Sequence, residues 1–231
     1  MPIIAAEPVK IGRSDIGGRK TTIVTSIFSA DSMSLLSRFN DGYYGKGLVY
    51  EIRYDLFHAK GKAELEKLIS ALNGMSLDFV FTYRFIDSRE GKEMYDTAIS
   101  LGAPAIDIDV SCINWIDLSR YRGTVIISTH DFNGGRVSHM LNGMMKFGGD
   151  IYKLASTYTD PHGFLLDLSD LYSFKKENRV PLSLVPMGME NSAFRLFSGY
   201  LLSDIVYASG ESLSADGQLT RKEYEDFYKK F

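Results

Sequence analysis

Residues 123–157 read GTVIISTHDFNGGRVSHMLNGMMKFGGDIYKLAST. Two apolar, β-branched runs of strand length, 123–132 and 150–157, flank a Met-rich segment, 137–147, with helical spacing. Strand, helix and strand in that order form a parallel βαβ unit. A parallel strand covered on both faces reads as a near-continuous apolar run, as both of these do.

The same rhythm extends in both directions. Strand-length runs occur at 21–28, 47–57, 78–84 and 105–110 before this stretch, and at 180–187 and 203–210 after it. Between them, 63–72 places Leu65, Leu68, Ile69 and Leu72 on one helical stripe. Segments 91–101, 164–177, 193–202 and 220–231 behave alike, while 31–38 and a short turn near 114–120 fill the early gaps. Eight units average roughly 29 residues, the size of a compact βα unit. Their closure predicts a single-domain α/β fold, a (β/α)8 TIM barrel, over residues 21–231. The rival is an open doubly wound sheet. The sequence contains neither GxGxxG nor GxxxxGK[ST], which favours the barrel. Residues 1–20, with Gly12, Gly17 and Gly18 among charges, read as a mobile arm or a short cap under the barrel.

Composition narrows the function classes. Apolar residues make up 45% and charged residues 24%, ordinary for a soluble globular protein. A net charge of −3 offers no basic footprint for nucleic acid. No apolar run reaches membrane-spanning length, and MPIIAAEPVK lacks the pattern of a secretory signal, so a cytoplasmic location is expected. Cys112 is the single cysteine, and no HExxH spacing occurs, which argues against a disulfide framework and a metal centre. Catalysis would then fall to Lys, His, Arg, Glu and Ser.

Barrel enzymes carry their chemistry at the C-terminal strand ends. Glu51, Arg53 and Asp55 alternate there, so period two places them on one face. Arg84, His130 and Asp131 end two further strands, and Lys153 lies amid Ile151, Tyr152, Leu154 and Ala155. Lysine is almost never fully buried without a partner or a purpose. Burial and neighbouring cations would release its nucleophilic amine, making Lys153 a candidate Schiff-base residue. The alternative is a packed stem with its ammonium reaching the strand end. His130, one strand earlier, can reach the same substrate and move a proton beside an imine. His58, His139 and His162 lack such context and are expected on the outside. Arg195, at a helix start, can fork onto a carboxylate. The stretch 214–218, SADGQ, has the makings of a closing loop.

In order along residues 20–231, EIR at 51–53, FTYR at 81–84, STHDF at 128–132, IYKLA at 151–155, MGMENSAFR at 187–195 and SADGQ at 214–218 resemble type I 3-dehydroquinate dehydratase. The resemblance implies a cofactor-free hydro-lyase of the shikimate pathway, acting on 3-dehydroquinate by syn elimination. It implies Lys153 as the Schiff-base residue, His130 as the proton shuttle and Glu90 as the acid orienting it. It further implies Arg195 as the carboxylate clamp, Glu51, Arg53 and Arg84 as the polar floor, and Ser214, Ala215 and Gln218 as the closing loop. No metal, nucleic acid or membrane partner is expected. A homodimer through outer helices is, with Met140, Met144 and Met145 as one candidate surface and packing against the barrel as their favoured role.

The chain departs from the family pattern in four places. The segment between Arg84 and Glu90 is longer by about two residues, making Asp87 a competitor for the orienting acid. Gly135 and Arg136 replace a Thr-Pro pair, Asn191 stands where Gly is usual, and Phe194 where Ser is usual. The first strand offers Thr25 or Ser26 as a further ligand. Two rivals follow: an aldolase-type Schiff-base barrel, and a degenerate barrel that only binds small carboxylic acids.

Overall fold

The computed structural model describes residues 2–45, 47–84, 88–131 and 137–230. Eight parallel strands form the barrel: β3 (Thr22–Ile27), β4 (Val49–Arg53), β5 (Asp78–Thr82), β6 (Ala105–Asp109), β7 (Thr124–Asp131), β8 (Ile151–Thr157), β9 (Leu182–Met187) and β10 (Ile205–Ser209). Every strand falls within one of the eight runs read from the sequence. Between and after them lie α1 (Ser32–Asn40), α2 (Lys62–Gly74), α3 (Ser88–Ser100), α4 (Val137–Met144), α5 (Pro161–Asn178), α6 (Ser192–Leu201) and α7 (Arg221–Tyr228). The fourth unit has only a 3-10 turn, Ile113–Trp115, in place of a helix.

The helices are held by the stripes that predicted them. Leu65, Leu68, Ile69 and Leu72 of α2 are all fully buried, each contributing about 1.5–3 kcal/mol of apolar burial. Met144 is buried, and Met140 and Met145 pack on the core. Asp160 caps α5 ahead of Pro161, and Thr220 and Glu223 form a capping box on α7.

β1 (Ala6–Ile11) and β2 (Ser14–Gly18) pair antiparallel. Ile11 and Ile16 join Val24, Val49, Val80, Ala105, Ile126, Ile151 and Ile205 in one buried cluster that plugs the floor. Asp78 anchors the hairpin tip, accepting from the Arg13 N–H at 3.0 Å and the Ser14 hydroxyl at 2.7 Å.

The backbone ladder runs from β10 through β3 to β9, and side chains bridge the β9–β10 seam. The Leu182 N–H donates to Asp204 Oδ2 at 2.9 Å, and the Leu184 N–H to the Ser203 hydroxyl at 2.9 Å. Ser183 donates its hydroxyl to the Ile205 carbonyl at 2.9 Å. Lys175, fully buried on α5, pairs with Asp204 at 2.8 Å and donates to the Leu202 carbonyl at 2.6 Å. Burial pushes Asp204 up and Lys175 down, while their mutual attraction opposes both shifts. Asp204→Ala should therefore cost about 3–5 kcal/mol, because it strands a buried ammonium. Urea unfolding of Asp204→Ala, and of Asp204→Ala with Lys175→Met, measures this; the double variant should recover part of the loss.

Candidate active site

Interior positions in the lower barrel are apolar, but one level up they turn polar. The register sets Ser26 beside Glu51, Thr82 beside Asp107 and Ser128 beside Lys153. The result is a buried belt across six consecutive strands. Glu51 accepts from the Ser26 hydroxyl at 2.6 Å and the Thr82 hydroxyl at 3.1 Å. Asp107 accepts from the Ser128 hydroxyl at 2.5 Å and from Arg84 Nη2 at 2.9 Å. Lys153 Nζ joins the two halves, 2.8 Å from Asp107 and 3.3 Å from Glu51, with the Tyr207 ring centroid at 3.8 Å.

Lys153 is buried, but its partners differ from those expected. Two carboxylates contact the amine, and Arg84 pairs with one of them, Asp107, at 2.9 Å. Burial alone would raise Asp107, but the charges of Arg84 and Lys153 outweigh it and hold the carboxyl well below the usual range. Burial likewise opposes ionisation of Glu51, and Lys153 and Arg53 reverse the balance.

Above the belt lies a cavity of about 560 Å³, sized for a small organic acid. Glu51, Arg53, Arg84, His130, Lys153 and Arg195 line it. Ser214, Ala215 and Gln218 line one side. Ser26 also faces the cavity, whereas Thr25 accepts from Arg221 Nε at 3.0 Å. His130 pairs in register with Ala155, two residues beyond Lys153, so the imidazole stands one level nearer the mouth. His58, His139 and His162 are exposed, as expected.

Two buried guanidinium donors in this wall, Arg84 Nη1 and Arg195 Nε, have no hydrogen-bond partner among the described residues. An unsatisfied buried donor costs about 1–3 kcal/mol, and an anion in the cavity would remove that cost. Burial pushes Arg195 down, with Tyr224 opposing; an anion would oppose it further. Arg53 is held by Asp55 through Nε at 3.0 Å and Nη2 at 2.7 Å. The strand alternation stops at Arg53, because a 3-10 turn, Tyr54–Leu56, begins there and carries Asp55 off the strand.

Glu90 sits in the first turn of α3 and accepts from the Tyr83 hydroxyl. Tyr83 is buried and packs on Tyr54 at 6.1 Å between centroids. Asp109 Oδ2 lies 3.0 Å from His130 Nδ1. Asp87, Gly135 and Arg136 lie outside the described residues.

The remaining departures are supports. Asn191 donates Nδ2 to the Met187 carbonyl at 2.6 Å and the Tyr158 carbonyl at 3.1 Å, tying the β8 and β9 ends together. Phe194 stacks on Phe164 with centroids 4.4 Å apart. The 214–218 loop is pinned by Arg195 Nη2 on the Asp216 carbonyl at 3.0 Å and by Ser214, which donates to Gln218 Oε1 from N–H at 3.0 Å and hydroxyl at 2.9 Å. Gly217 has φ +71°, and a Cβ there would strike the Gly188 carbonyl oxygen. Gly217→Ala stores about 1–3 kcal/mol of strain in the loop. It should raise KM about tenfold and leave the melting temperature within a few degrees, as steady-state kinetics and calorimetry will measure.

The sequence profile of type I 3-dehydroquinase matches residues 25–231. The chain belongs to this family. The 3-dehydroquinate dehydratase of Thermoplasma volcanium is 35% identical over 218 residues, 94% of this chain and 93% of the relative. That of Thermoplasma acidophilum is 34% identical, covering 99% of this chain and 98% of the relative. Among solved structures, the Geobacillus kaustophilus 3-dehydroquinate dehydratase superposes with a TM-score of 0.85 at 19% identity, covering 99% of this chain and 97% of its own. Asp107, Asp109 and Tyr207 were not among the residues singled out from sequence. For the two aspartates the signal was present in AIDIDV at 105–110, the same period-two alternation that exposed Glu51 and Arg53.

Proposed function

We propose that this family member is a hydro-lyase that converts 3-dehydroquinate to 3-dehydroshikimate through an imine on Lys153. The observation that carries the mechanism is a buried amine held by two carboxylates beneath a cavity with unsatisfied guanidinium donors. The names of the relatives support the substrate. A Clostridium difficile type I enzyme, 20% identical with a TM-score of 0.82 over 97% of each chain, was solved with covalently modified comenic acid.

The charge balance explains the partners of Lys153. An ammonium and a ketone condense to a protonated imine and water, so one positive charge enters and one remains. The carboxylates that pair with the ammonium can then hold the iminium at the same place, a preorganised electrostatic site for the charged intermediate. The iminium draws electrons from the adjacent C2–H bond. His130 takes that proton, the electron pair forms the C1–C2 double bond through the enamine, and hydroxide leaves C1 with a proton from the imidazolium, as water. A second water hydrolyses the imine and frees Lys153. Arg195 and Arg84 are the donors suited to the substrate carboxylate; Arg53, Ser214 and Gln218 can donate to its ring oxygens, and Glu51 can accept from its hydroxyls.

Purified protein mixed with 3-dehydroquinate tests this directly. Growth of conjugated-enone absorbance, with no carbon–carbon cleavage products, is the expected result. Cleavage fragments would instead identify an aldolase, and calorimetric binding without turnover a barrel that only binds acids.

A further inference from the structure

We propose that Asp109 is a positioning residue for His130. This rests on the dehydratase reading above and deepens it.

Asp109 ends β6, and in the ladder it pairs with Ser128 of β7. His130 lies two residues beyond Ser128 on the same face of that strand. The carboxylate therefore reaches the imidazole from the neighbouring strand, with Oδ2 3.0 Å from Nδ1. Its other oxygen is fixed: Oδ1 accepts from the Ser111 N–H at 3.0 Å and the Ser111 hydroxyl at 2.7 Å. The turn that presents Ser111 is itself held, because the Val110 N–H donates to the Ser128 carbonyl at 2.8 Å and the Cys112 N–H to the Asp109 carbonyl at 2.9 Å. Both oxygens thus have assigned partners, and none of these contacts involves the helix layer.

The charge state decides the tautomer. Burial would raise Asp109, but the hydrogen bonds from His130 and Ser111 outweigh it and hold it at about 2. An ionised carboxylate can only accept, so the proton of the neutral imidazole sits on Nδ1. That leaves Nε2 as the basic nitrogen of a ring that lines the substrate cavity. A base that must take a proton from carbon and return it to a departing hydroxide needs one orientation and one tautomer throughout. A carboxylate behind the ring supplies both and stabilises the imidazolium between the two transfers.

Asp109→Asn keeps the shape of the side chain but can offer Nδ1 an amide donor, which favours the opposite tautomer. The expected result is a fall in kcat of about 10²–10⁴-fold, with KM changed less than about threefold. Borohydride trapping of the imine should continue at the wild-type extent, and the isotope effect with C2-deuterated substrate should grow. Asp109→Glu should recover part of kcat, which a purely structural role would not produce. Two results overturn the proposal: kcat within twofold of wild type in Asp109→Asn, or a larger loss in Glu90→Gln than in Asp109→Asn with the same isotope signature. Should the wild-type protein neither turn over nor trap 3-dehydroquinate, the dehydratase reading fails and this proposal with it. Normal wild-type turnover with an indifferent Asp109 removes this proposal alone.

Discussion

Lys153→Met should lower turnover of 3-dehydroquinate by a factor on the order of 10⁵, the scale of loss seen when a covalent nucleophile is removed. Methionine is the informative replacement because it fills the space of the lysine stem and removes only the amine. Alanine would also open a cavity in the belt. The remaining cost is electrostatic. Glu51 and Asp107 lose the cation that joins them. Breaking a buried pair can cost about 3–5 kcal/mol, but Asp107 keeps Arg84 at 2.9 Å and the Ser128 hydroxyl at 2.5 Å. The variant should therefore melt earlier yet remain folded by circular dichroism. The guanidinium donors of Arg84 and Arg195 remain, so calorimetry should still detect a substrate-like acid. Retained binding with absent turnover separates loss of chemistry from loss of the fold. Turnover near the wild-type rate would remove Lys153 from the mechanism.

His130→Ala should slow the elimination by about 10²–10⁴-fold, the range for a positioned proton-transfer group. The imidazole stands one interior level above the amine, so its removal leaves the belt beneath intact. Imine formation should stay detectable, because Lys153 keeps its carboxylate partners. Stopped-flow enone absorbance reads the first effect, and borohydride trapping reads the second. A variant altered only in melting temperature would show that the imidazole has a structural task alone.

The fold was legible because local patterns carried it. Each parallel strand is a short apolar run, and each helix such as α2 shows its buried stripe in the spacing of Leu65, Leu68, Ile69 and Leu72. Lys153 and Glu51 stood out for the complementary reason, as charges at interior positions. Their relationship was not legible. Lys153 and Glu51 are 102 residues apart in sequence, and Lys153 and Asp107 are 46 apart; only barrel register brings them together. The sequence suggested cations around the amine, and the ladder delivered carboxylates. The carboxylate beside His130 was hidden for a related reason: Asp109 and His130 are 21 residues apart, and the register of β6 and β7 brings them together. The β9–β10 seam was equally hidden, since Ser183, Ser203 and Asp204 look like ordinary polar residues until strand neighbours are known.

The central claim is a covalent one, so the most direct measurement is covalent capture. The protein is mixed with 3-dehydroquinate, reduced with borohydride, digested and mapped by mass spectrometry. A single substrate-derived adduct on the peptide containing Lys153, absent without substrate and absent from Lys153→Met, is the predicted result. No adduct while the enone accumulates, or an adduct on a different lysine, would contradict it.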